Sequence, residues 1–104
     1  MTQHLIQILL PIQARDGTPQ PAELFARVRT ELTEKFGGVT AYSRSPATGQ
    51  WKRDDEAIER DQVIMVEVVV DAFDRGWWIA YREQLEQRFD QEEVLCRALA
   101  MERI

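Results

Sequence analysis

The sequence predicts an α+β fold in which two helices cover one face of a four-stranded antiparallel sheet. Three observations lead there. Residues 63–70, Val-Ile-Met-Val-Glu-Val-Val-Val, form a strand-length apolar run interrupted by a single carboxylate, the pattern of a strand covered on both faces. One segment on each side of that run carries apolar residues at helical spacing. The strand-like segments then fall in the order β-α-β-(hairpin)-β-α-β.

Leu5 to Ile12 reads as the first strand. Ile6, Ile8 and Leu10 share one side, and Leu5, Gln7 and Leu9 the other, because side chains alternate along a strand. Pro11 limits the ladder at its end. Residues 13–20 are a polar loop rich in turn formers. Pro21 suits the first turn of a helix, where its missing N–H costs nothing. Leu24, Phe25, Val28, Leu32 and Phe36 then recur at helical spacing. Glu23/Arg27 and Glu31/Lys35 stand four apart and are expected to pair on the solvated side. Gly37 is a natural C-terminal cap, so the helix spans about 21–36.

Val39 to Ser45 reads as the second strand. Ser45 to Gly49 is a turn, and Gln50 to Arg53 fold back as an extra hairpin arm near 45–53. A charged connection, 54–61, leads to the apolar strand at about 62–71. Asp74 can cap a second helix, whose stripe is Trp78, Tyr81, Leu85 and Phe89, with Arg82 and Glu86 pairing outside. The last strand, about 93–101, alternates Val94, Cys96, Ala98 and Ala100 with Leu95, Arg97, Leu99 and Met101. This element order is the split-βαβ, ferredoxin-like arrangement, with strand order 4-1-3-2. The right-handedness of βαβ crossovers leaves few competitors.

At 104 residues the chain is expected to be one domain, 1–104. No apolar stretch approaches the ~20 residues that span a membrane, and residues 1–4 do not resemble a secretory signal. One cysteine, Cys96, permits no intrachain disulfide, so a reducing cytoplasm is expected. A net charge of −5 argues against non-specific nucleic-acid binding, which relies on Lys and Arg meeting phosphates. One His and no Asn remove His-rich metal sites, Cys/His zinc sites and a Cys–His–Asn triad. No metal and no cofactor are expected.

Two helices cover only one sheet face. Ile64, Val66, Val68 and Val70 belong under them with Ile6, Ile8 and Leu10. The opposite face then holds Leu5, Leu9, Val63, Met65, Val69, Leu95, Leu99 and Met101 around three polar residues, Gln7, Glu67 and Arg97. An exposed apolar area of that kind marks an interface or a groove. Strand order puts Arg97 beside Gln7 beside Glu67. Either Tyr42 and Arg44 or Ala41 and Ser43 join the same face.

With this length, element order and open face, the chain resembles the dimeric α+β barrels, whose ferredoxin-like chains pack two sheets face to face. The stretch Phe36-Gly37-Gly38-Val39-Thr40 with Gly49-Gln50-Trp51 also looks like small bacterial proteins that carry no known chemistry. The barrel resemblance implies a homodimer formed through the open face. It also implies a range of activities, among them cofactor-free oxygenases, isomerases and haem-degrading enzymes. The haem-degrading types use a well-placed His, whereas the sole His4 is expected at the surface near the N-terminus. Oxygenase types often use Asn, which this chain lacks.

Glu67, Arg97 and Gln7 are the leading candidate site. A carboxylate in an apolar cavity can accept a proton, and a nearby arginine can hold an anion. The plainer alternative, and the preferred one, is a buried ion pair that orients the dimer. Tyr42, Ser43, Arg44 and Trp51 can rim a small-ligand site, or Trp51 can simply pack on the hairpin or a partner chain. Trp77 and Trp78 read as one flank and one core anchor. Asp54, Asp55, Glu56, Glu59 and Asp61 lack the glycine and spacing of a calcium loop and read as a solvated charged segment. Cys96 reads as a core residue. The expected function is a homodimeric interaction or small-ligand-binding protein that uses its open face. The alternative is a cofactor-free isomerase or monooxygenase acting on a small organic anion, with Glu67 as base, Arg97 or Arg44 holding the anion and Tyr42 donating a hydrogen bond.

Overall fold

A computed structural model describes residues 2–44 and 63–104, with the backbone alone described at 42–44. Six elements follow one another: β1 (Gln3–Pro11), α1 (Ala22–Phe36), β2 (Thr40–Arg44), β3 (Val63–Val70), α2 (Arg75–Arg88) and β4 (Leu95–Met101). The hairpin arm near 45–53, with Trp51, and the acidic segment 54–61 lie outside the described residues.

The four strands form one antiparallel sheet in the order β2-β3-β1-β4, the expected order read from the other edge. β1 and β3 are central, and their registers pair Ile6 with Val68 and Ile8 with Val66. One face packs against both helices. Ile6, Ile8, Leu10, Val66, Val68 and Val70 meet Val28 and Leu32 of α1 and Trp78, Tyr81 and Leu85 of α2 in a single buried cluster that Phe89 and Val94 complete. The alternation in β3 is therefore read by burial: Val68 is 2% exposed and its neighbour Val69 43%.

Helix ends follow local chemistry. Pro21 precedes α1, and Gly37 ends it at φ 86°, its N–H donating to the Thr33 carbonyl at 2.8 Å. A left-handed cap of this kind favours glycine. Asp74 caps α2, its Oδ1 accepting the Trp77 N–H at 3.1 Å. Trp78 is buried and Trp77 half-buried, as the stripe predicts.

The pairing expected between Glu31 and Lys35 is not made. Glu31 turns instead to α2 and accepts from Arg88 (Nη1 2.7 Å, Nη2 3.0 Å) and from the Tyr81 hydroxyl (2.9 Å), while Arg27 of its own helix approaches at 3.3 Å. A bidentate guanidinium outcompetes a flexible ammonium for a half-buried carboxylate. Lys35 lies 4.8 Å from the centre of the Trp77 ring. His4 also departs from expectation: it is half-buried on the helix side of β1, stacked on Phe73 with ring centres 5.1 Å apart. Its even position puts it in the same row as Ile6. Among the described residues, no helix is long and apolar enough to cross a membrane.

Candidate functional site

The second face of the sheet is covered by no described helix or strand. Val69, Leu95 and Leu99 are 43–45% exposed there, and Leu5, Leu9 and Val63 are half-buried. Met65 of the same face is buried without belonging to the helix-side cluster.

Across its middle runs the polar row that the sequence predicts. The registers align Arg97, Gln7, Glu67 and Thr40 on β4, β1, β3 and β2. Arg97 Nε donates to Gln7 Oε1 at 2.6 Å, and Gln7 Nε2 donates to Glu67 Oε2 at 2.7 Å. The charges at the ends fix the amide's orientation, since the flipped amide would set its carbonyl against the carboxylate and its NH2 against the guanidinium.

No direct ion pair forms between Glu67 and Arg97 among the described residues, and neither residue is fully buried. Within one chain, contact between the two runs through Gln7. Their strands are separated by β1, so their backbones stand about 10 Å apart, twice the strand spacing. Gln7 bridges that gap. Among the described residues Glu67 thus receives one hydrogen bond, from a neutral donor, whereas a carboxylate can accept about four.

Glu67 also borders a groove of 610 Å³ on this face, with Leu5, Gly38, Thr40, Val69 and Arg103 among its walls. Arg97 does not line it. Arg103, from the segment after β4, is a cation that the sequence reading missed. No alternation pattern reaches beyond Met101, so nothing in the chain marks where Arg103 goes. Tyr42 and Arg44 take the register positions opposite Met65 and Val63, which decides between the two sets left open for β2. Trp51, and the rim expected around it, lie outside the described residues.

A second hollow, of 380 Å³, lies on the helix side between α2 and β4. Cys96 lines it and is half-buried rather than sealed in the core. Burial pushes its thiol up to about 11, with the Arg82 charge pulling the other way. Among the described residues, no group of three His, Cys, Asp or Glu side chains is arranged to hold a metal ion. Compared with protein-family models, with curated proteins and with solved structures, the chain matches none.

Proposed function

We propose that the protein is a ferredoxin-like domain that works as a homodimer of the dimeric α+β barrel kind, joined through the open sheet face and binding a small molecule there. One observation carries the reading. Glu67, which accepts one hydrogen bond among the described residues, stands beside a groove on an otherwise apolar, partly exposed face. Apolar surface left in water is costly, by roughly 25 cal/mol for each Å², and a second copy of the same face would remove it. The polar row would then sit inside the interface and fix its register, as buried polar groups do in other assemblies.

A cofactor-free enzyme acting on a small organic anion draws on the same groove, with Glu67 as base. Its anion holder would be Arg103, because Arg97 is turned to Gln7. Tyr42 and Arg44 remain the further candidates of that reading.

Native mass spectrometry tests the proposal. The expected spectrum is a dimer that carries a retained small molecule, lost in Glu67→Gln while the dimer persists. A monomer in the wild-type spectrum would overturn the reading. A dimer with no retained mass, unaltered by Glu67→Gln, would leave the face as an interface alone and remove the ligand from the proposal.

A further inference from the structure

The hollow on the helix side has a simple origin. β4 is an edge strand, and its residues on the helix side are Cys96, Ala98 and Ala100, where β1 carries Ile6 and Ile8 and β3 carries Val66, Val68 and Val70. Small side chains leave the space between α2 and the strand unfilled. The result is the 380 Å³ groove, with Cys96 and Ala98 on the β4 side and Trp78 and Ile79 on the α2 side. That volume is within the range of small-molecule sites, about 300–1,000 Å³.

Two arginines of α2, Arg75 and Arg82, line the groove. Arg75 is in the first turn, its guanidinium 5.2 Å from the centre of the Phe73 ring, and it has no carboxylate partner among the described residues. Arg82 is half-buried, two turns further along. Its Nε is buried and has no hydrogen-bond partner among the described residues. The nearest carboxylate oxygen, Glu86 Oε2, is 3.6 Å away and already accepts the Val94 N–H at 3.0 Å. The Arg82 side chain as a whole is 38% exposed and lines the groove, where a guanidinium can offer charge-assisted hydrogen bonds to a ligand oxygen. Arg97 of β4 borders the groove, but its side chain is on the other face of the sheet, where its Nε donates to Gln7. In a chain of net charge −5, two cations beside an apolar hollow form a local reversal of sign.

We propose that this groove binds a small organic anion with an apolar body, an aryl or alkyl carboxylate or sulfonate. The acid group meets Arg82 and Arg75, and the body lies along Ala98, Cys96 and Trp78. The site is on the opposite side of the sheet from Glu67 and does not depend on the open-face dimer.

Cys96, the chain's one cysteine, supplies a local reporter. The probe is 8-anilino-1-naphthalenesulfonate, with neutral N-phenyl-1-naphthylamine as comparator. The readout is the rate at which N-ethylmaleimide alkylates Cys96, followed by intact mass at mildly alkaline pH. The anionic probe is expected to slow alkylation severalfold, and the neutral one to slow it much less. Arg82→Gln is expected to weaken the protecting affinity about tenfold, the effect of one charge-assisted hydrogen bond, with Arg82→Lys intermediate. Arg75→Gln, on an exposed first-turn residue, carries the same test if Arg82→Gln does not fold. Unchanged alkylation at saturating probe, equal protection by the neutral probe, or full protection in the arginine variants would overturn the proposal.

Discussion

Glu31 and Glu67 are both half-buried carboxylates that link separate elements of the fold, and they are treated in opposite ways. Glu31 joins α1 to α2 and accepts four hydrogen bonds, three from arginines of its own and the facing helix and one from Tyr81. Its capacity is filled. Glu67 joins β3 to β1 and, among the described residues, accepts one, from a neutral amide. The difference separates a group that holds the fold together from a group left able to meet something else. It also follows the two faces of the sheet, one closed by both helices and the other bordered by partly exposed Val69, Leu95 and Leu99.

The largest effect expected from that contrast is in packing. Leu85→Ala, at a fully buried site under α2, should cost about 2–5 kcal/mol in denaturant unfolding. Leu99→Ala, on the open face, should alter the stability of the monomer by no more than about 0.5 kcal/mol. Equal losses at the two sites would erase the distinction between the faces.

The carboxylates come next. Glu31→Gln leaves Arg88 half-buried without its charged partner and should cost about 2 kcal/mol. Glu67→Gln keeps an acceptor for the Gln7 amide and should cost less than about 0.5 kcal/mol. Thermal and urea melts of the two variants, read side by side, test this directly.

A smaller effect concerns acid. Burial tends to raise the Glu31 carboxyl, but the hydrogen bonds from Arg88 and Tyr81, helped by the charges of Arg88 and Arg27, outweigh it and hold the group below the ordinary 4.5. A carboxyl depressed in the folded state stabilises fully above its unfolded value, and the contribution fades as pH falls from there through the folded value. Stability measured from pH 6 downward should therefore fall less steeply in Glu31→Gln than in the wild type. Parallel acid limbs would mean that Glu31 does not carry this linkage.

Much of this contrast was legible in the chain. The alternation of Val63–Val70 separates Val68 from Val69, and strand order alone brings Arg97, Gln7 and Glu67 into one row. Spacing within a helix, however, pairs Glu31 with Lys35. The actual partners, Arg88 and Tyr81, depend on how α1 and α2 sit against each other on the sheet, and no local pattern encodes that. Strand order also puts Gln7 between Arg97 and Glu67, but which atoms bond across the row depends on register, and alternation does not encode that. The groove beside β4 did have a signal, the small residues Cys96, Ala98 and Ala100 on one side of an edge strand, although their alternation was read only as core.

The proposed homodimer makes the open face an interface. Sedimentation velocity over a wide concentration range, on the wild type and on Leu99→Glu, tests it. The wild type should approach twice the 12.1 kDa chain mass, and Leu99→Glu should sediment as a monomer with an unchanged far-ultraviolet circular dichroism spectrum. A wild type that stays monomeric at the highest concentration reached, or a dimer indifferent to a charge at Leu99, would contradict it.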